Sequence, residues 1–139
     1  MQAEFRYALE PGLSVDEFVD VLVRSTLAER RPVDDRARMR KMLEQADLIA
    51  TARAGDRLVG VGRALSDFCY CTYLADLAVD RAYQGRGIGR ELMRFVHAAA
   101  GHSTQLILLA APAARSYYPH AGLTPHDSCW TIPRGEPLL

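Results

Sequence analysis

Apolar residues recur along this chain with two periods, and the switches between the periods mark its elements. Residues 4–9, Glu-Phe-Arg-Tyr-Ala-Leu, alternate as a first strand does, and Pro11-Gly12 breaks the run. The period then becomes helical. Val15, Phe18, Val19, Leu22 and Val23 share one face, and Ser14 with Glu17 three residues on has the pattern of a capping box. A second helix starting near Pro32 to Asp35 carries Met39, Met42, Leu43 and Ala46 on one stripe. From Leu48 the period shortens, and Leu48–Ala54, a turn at Ala54-Gly55-Asp56 and Arg57–Ala64 predict a β-hairpin. A strand from about Tyr70 to Val79 leads through a glycine-rich loop into a helix. That helix directs Ile88, Leu92, Met93, Val96 and Ala99 inward and ends at Gly101. The continuous apolar run Leu106–Ala110 predicts a buried strand, and Ala113–His120 a short helix. Leu123-Thr124 with Cys129–Ile132 predicts a closing strand pair before a tail from Pro133.

This order predicts an α/β fold on a mixed, mostly antiparallel sheet. Its one parallel crossover runs strand, glycine loop, helix, strand across residues 73–110. At 139 residues the chain is expected to form a single domain over residues 1–139. The composition, 49% hydrophobic and 24% charged, is that of a soluble globular protein. A formal net charge of +0 gives no support to a nucleic-acid or membrane-surface role. The start has no signal-peptide pattern and no apolar run is long enough for a membrane span, so a cytoplasmic protein is expected. The odd set Cys69, Cys71 and Cys129 fits a reducing compartment. Cys69-x-Cys71 has no second Cys/His pair at zinc spacing, so no metal site is expected.

The chemistry concentrates in residues 77–90, Leu-Ala-Val-Asp-Arg-Ala-Tyr-Gln-Gly-Arg-Gly-Ile-Gly-Arg. Strand, glycine-rich turn and helix start together direct backbone N–H groups and the positive end of a helix at a phosphate. Gly87 and Gly89 stand where side chains would block a ligand's close approach. A dinucleotide-binding reading is poor, because no acidic residue follows at the next strand end and an antiparallel hairpin precedes the motif. A P-loop reading fails for want of Gly-Lys-Ser/Thr.

Gln84-x-x-Gly87-x-Gly89, preceded by Leu77-Ala78-Val79, resembles the acetyl-CoA signature of the GNAT family of N-acetyltransferases. The order of elements over nearly the whole chain is similar too. So is Ala114-Arg-Ser-Tyr-Tyr118-Pro-His-Ala-Gly122-Leu123, which resembles the stretch where that family carries its acid tyrosine. The resemblance implies the family's fold, with roughly six to seven strands and about four flanking helices. It implies acetyl transfer from acetyl-CoA, as co-substrate, to a primary amine by direct attack in a ternary complex. The backbones of Leu77, Ala78 and Val79 would pair with the pantetheine arm, and the Leu77 N–H would polarise the acetyl carbonyl. Backbone N–H groups of Gln84, Gly85, Arg86, Gly87, Ile88, Gly89 and Arg90 would hold the pyrophosphate, with the Arg86 and Arg90 charges beside it. Tyr118 would protonate the departing thiolate, and Tyr117 would pack in the core. Asp76 would orient the acceptor amine or relay its proton through water; the plainer alternative is a strand aspartate at a sheet edge or in a salt bridge. His120 and His126 are lesser basic candidates.

Two departures from the family pattern stand out. Ala110-Ala111-Pro112 replaces the usual Asn, and Leu123 the usual Phe. Seven basic residues between 24 and 41 either attract an acidic acceptor or simply form wet helix faces, the commoner state. Phe68, Tyr70, Tyr73 and Trp130 either wall an acceptor pocket or pack. The expected partner is a small-molecule amine, and a homodimer follows by family analogy only. The alternative to an enzyme is an acyl-CoA-binding regulatory module with little catalysis.

Overall fold

The structure, a computed structural model, describes residues 4–139 as two compact units that meet in sequence between Leu109 and Ala110. The first holds β1 (Arg6–Leu9), α1 (Val15–Ser25), a 3₁₀ turn (Leu27–Arg30), α2 (Arg36–Glu44), β2 (Leu48–Ala54) and β3 (Arg57–Ser66). It continues with β4 (Cys71–Val79), a 3₁₀ turn (Arg81–Tyr83), α3 (Ile88–Ala100) and β5 (Gln105–Ile107). The sheet order is β1-β2-β3-β4-β5. The first three pairings are antiparallel and β4–β5 is parallel, joined by α3 as the crossover. The expected α/β class and sheet type are therefore present, with five strands among the described residues where six to seven were expected.

Local chemistry accounts for the helix starts. The Ser14 hydroxyl accepts the Glu17 N–H at 3.1 Å, and the Asp35 carboxylate accepts the Arg38 N–H at 3.0 Å. Only half of the predicted capping box forms. The Glu17 carboxylate turns instead to Arg53 on β2, because an ion pair offers it more than the Ser14 backbone does.

Helices cover both faces of the sheet. Phe18, Val21 and Leu22 of α1 and Met39 of α2 are sealed from solvent against Ile49, Leu58, Val61 and Ala78 on one face. On the other face α3 lies against Gly60 and Gly62 of β3. A Cβ on Gly60 would stand 3.0 Å from both Ile88 Cγ2 and Leu92 Cδ1, so the missing side chain lets the helix sit close. The inward stripe of α3 is Ile88, Leu92, Met93, Val96 and Ala100; Ala99, expected inside, is exposed. A helix turns 100° per residue, and the two positions at its last turn exchange with a small change of pitch.

The apolar run near residue 106 is not a buried strand. β5 covers only Gln105–Ile107, and Ile107 and Leu109 are exposed. It lies at the sheet edge, paired on one side, so it gets half the burial that its sequence suggests.

The second unit, residues 110–139, has a 3₁₀ turn (Pro112–Ala114) and α4 (Tyr117–His120), and no strand among its described residues. The expected pairing of Leu123-Thr124 with Cys129–Ile132 does not form. Leu123 spends its N–H on the Tyr118 carbonyl at 3.0 Å, and Gly122 takes a left-handed φ of 99°. That is a helix C-terminal stop, which turns the chain out of strand geometry, and Pro125 follows at once.

Candidate functional site

The site begins where β4 loses a neighbour. β5 pairs with β4 only at Cys71, Thr72 and Tyr73, so beyond Tyr73 the strand is laddered on its β3 side only. A bulge follows. Arg63 faces Asp76 and Ala64 faces Leu74, which leaves Ala75 without a partner residue on β3. Successive residues of a strand send their backbone groups to opposite sides. The Asp80 N–H donates to the Val59 carbonyl at 2.8 Å, toward β3. By alternation Ala78 also faces β3, whereas the N–H groups of Leu77 and Val79 point to the open edge. The Val79 carbonyl on that edge accepts the Gln84 side-chain amide at 3.0 Å, which ties strand to loop. Of the predicted trio, Leu77 and Val79 thus present backbone to the edge, while Ala78 contributes a buried methyl to the core.

The glycine loop follows from Asp80. Gly85 and Gly87 adopt left-handed φ values of 82° and 81°, and Gly87 is the N-cap of α3 without a side-chain cap. A Cβ on either would meet nothing within 4 Å. Within the protein, the requirement for glycine at these two positions is therefore backbone conformation. The first helical bond runs from the Glu91 N–H to the Gly87 carbonyl at 3.0 Å. The N–H groups of Ile88, Gly89 and Arg90 precede it and have no partner within the helix, which makes them anion donors. Buried Ile88 pins that end into the core. Arg86 lies over the Tyr83 ring at 5.2 Å and reaches Glu4 at 3.6 Å; Arg86 and Arg90 are both exposed at the loop rim.

Two buried aspartates bracket this stretch. Asp80 accepts the Ala82 N–H at 2.9 Å and so caps the 3₁₀ turn that enters the loop. Its other oxygen takes Arg24 of α1 at 2.5 Å and Arg57 of β3 at 3.4 Å. Burial pushes the Asp80 carboxyl up, but the Ala82 N–H and the Arg24 and Arg57 charges outweigh it and hold it below the usual carboxylate value. Arg24 also donates to the Leu58 carbonyl at 2.8 Å and to Asp20 at 2.9 Å, so the contact is fixed from several sides.

Asp76, the candidate that would contact the amine, has no exposed side-chain surface. One oxygen takes Arg31 Nε at 2.5 Å and the other takes Arg63 Nε. Arg31 also donates to the Ala75 carbonyl, the group released by the bulge, at 2.9 Å. The salt-bridge alternative describes this geometry, and both oxygens are spent on guanidinium groups. Arg36 pairs with Asp16. Three of the seven basic residues between 24 and 41 thus serve ion pairs within the fold.

Tyr118 belongs to the second unit, where it is half-buried in α4. Its ring meets that of Tyr117 edge-on at 5.2 Å between centroids. Tyr117, expected in the core, is 38% exposed. His120 and His126 are exposed, and so are all three cysteines.

Sequence reasoning missed Asp80, Arg24, Arg57, Arg31 and Arg63 as supports of the site. Asp80 carried a signal, an Asp at a strand end before a turn. The arginines carried none, since each partner lies at least 13 residues away in sequence.

Known proteins agree with this architecture. A model of the acetyltransferase (GNAT) domain matches residues 19–129. The ycf52-like N-acetyltransferase of Prochlorococcus marinus, itself uncharacterized, is 30% identical over 125 residues, 85% of this chain. This chain spans 64% of the length of that relative. The solved structure of protein SA2161 from methicillin-resistant Staphylococcus aureus superposes with a TM-score of 0.75 at 20% identity, over 93% of this chain and 98% of its own. An aminoglycoside acetyltransferase from an uncultured soil metagenomic sample, solved with sisomicin, gives 0.71 at 16% identity, over 93% and 94%.

Proposed function

Because the chain belongs to the GNAT acetyltransferase domain family, we propose that it transfers the acetyl group of acetyl-CoA to a primary amine in a ternary complex. The observation that carries this reading is the open edge of β4, joined through one short turn and the glycine loop to the uncapped start of α3. An extended pantetheine arm adds to that edge as a short strand would, through the backbones of Leu77 and Val79. The pyrophosphate sits on the N–H groups from Gln84 to Arg90, with Arg86 and Arg90 at the rim. The Leu77 N–H donates to the acetyl carbonyl and stabilises the oxyanion that forms there.

The acceptor's neutral nitrogen attacks that carbonyl. The C–N bond forms, the C–S bond breaks, the ammonium proton passes to water, and Tyr118 gives its proton to the thiolate and is reprotonated from water. Asp76 acts as a positioning residue in this scheme. It holds Arg31, and with it the segment between α1 and α2, against the β4 bulge. The two units work as one acetyltransferase domain, since the family match runs across their boundary. The acceptor is a small-molecule amine, and the protein acts in the cytoplasm, as a homodimer.

The sealed carboxylate of Asp76 favours one second reading, an acyl-CoA-binding module with little turnover. Thiol release from acetyl-CoA with an amine panel separates the two. The enzyme reading expects turnover that falls about 10²-fold in kcat, with little change in KM, in Tyr118→Phe. Binding of CoA by calorimetry with no turnover on any amine supports the module, and absence of CoA binding overturns both.

A further inference from the structure

The face of the sheet that carries α1 and α2 is covered only in part. Leu65 of β3, Tyr73 of β4 and Ile107 of β5 stand in register across three strands, so their side chains share one face. They are 39%, 37% and 42% exposed and line a groove of about 520 Å³. That volume suits a small organic molecule. The groove abuts the site already described. Arg63 is two residues before Leu65 on β3, so the Arg63–Asp76 pair lies on the same face. From Tyr73 to Leu77 is four residues, roughly 13 Å of strand, the span of a short amine chain with its apolar body.

The charged lining has one sign. Asp47 and Asp67 border the groove, and among the described residues no Lys or Arg does. Three backbone N–H groups, from Cys69, Tyr70 and Cys71, hold the Asp67 carboxyl well below its usual value, so it stays anionic. The nearby cations that could attract an anionic acceptor, Arg31 and Arg63, are spent on Asp76.

We propose that this groove is the acceptor site and takes a primary ammonium on an apolar body, an alkyl or arylalkyl monoamine, in preference to a sugar phosphate. The inference rests on the acetyl-transfer reading. The rim carboxylates favour a cationic over an anionic acceptor. The acceptor's amine end points along β4 toward Leu77 and loses one proton to water. The neutral nitrogen bonds the acetyl carbon as the C–S bond breaks, its second proton passing to water while Tyr118 protonates the thiolate.

The test uses the full chain with acetyl-CoA and, in parallel, phenethylamine, hexylamine and glucosamine 6-phosphate, together with calorimetric binding of phenethylamine. The expected kcat/KM for phenethylamine is at least about tenfold above that for glucosamine 6-phosphate. Tyr73→Ser and Leu65→Lys each raise the phenethylamine KM about tenfold, leave the KM of acetyl-CoA unchanged, and Tyr73→Phe behaves as wild type. Preference for glucosamine 6-phosphate, or an unchanged phenethylamine KM in both variants, overturns the groove assignment and leaves acetyl transfer standing. Failure of CoA itself to bind overturns acetyl transfer. Phenethylamine binding that is lost in Tyr73→Ser then still supports the groove, and no binding overturns it.

Discussion

The two ends of the open stretch of β4 each hold a buried aspartate gripped by two arginines, yet the two sites are built differently. Asp80 accepts a backbone N–H as well as Arg24 and Arg57, so it shapes the chain that enters the glycine loop. Asp76 accepts guanidinium groups only, from Arg31 and Arg63. Asp80 therefore fixes a backbone path, whereas Asp76 neutralises two cations and fastens the segment between α1 and α2. Charge burial is the main work of Asp76, and shaping the glycine loop the main work of Asp80.

The largest effect that can break this contrast is Asp76→Ala. It leaves Arg31 and Arg63 without their carboxylate in a buried setting, and a loss of about 3–5 kcal/mol is expected in urea denaturation. Acetyl-CoA affinity of the folded fraction stays near wild type. Asp80→Ala should cost less, about 2 kcal/mol, because Arg24 keeps Asp20 and the Leu58 carbonyl, and the lost cap contributes roughly half. It should nonetheless weaken acetyl-CoA binding about tenfold by calorimetry, through the loop. Equal weakening in both variants would collapse the distinction.

Gly87→Ala comes next. Its Cβ meets open space, so the cost is that of the left-handed backbone, about 1–2 kcal/mol, and Gly87→Asn should cost less. Thermal melts of the two variants read that difference. The smallest effect is acid sensitivity, since burial and hydrogen bonding oppose each other at Asp80. Its carboxyl lies below the unfolded value of about 3.9, so its contribution is present above that pH and is lost as pH falls through the lowered value. Asp80→Asn should show a shallower loss of stability below about pH 4. Glu10, held down chiefly by its bond to Arg53, supplies part of the slope that remains.

A second contrast, between the two units, explains how much could be read in advance. In residues 4–109 the helix faces, Ala99 excepted, and the β2–β4 ladders follow apolar period and turn chemistry, and the hairpin turn at Gly55-Asp56 closes as expected. No residue of 110–139 is buried. Its apolar residues follow no helical or strand period, and Trp130 is 89% exposed. Where little area is buried, periodicity has little to report, so short apolar runs such as Cys129–Ile132 misled. The same limit applies at β5, where an apolar run met only one strand.

Within the candidate site, the loop, its glycines and the strand before it were legible because they are contiguous and their backbone chemistry is local. The pairing of Asp76 was not, although the residue itself was singled out. Whether a strand carboxylate faces an amine or an arginine depends on what another element brings to it.

The sequence by itself determined the order of elements from β1 to β5, the Ser14 cap and the glycine loop before α3, because these rest on interactions within a few residues. Only the tertiary structure decided that β4 and β5 part after Tyr73, that Arg24, Arg31, Arg57 and Arg63 converge on two aspartates, and that Leu65, Tyr73 and Ile107 floor one groove. Each of these joins segments far apart in the chain. Burial of a shared face and the need to pair buried charge select such contacts, and neither leaves a local pattern to read.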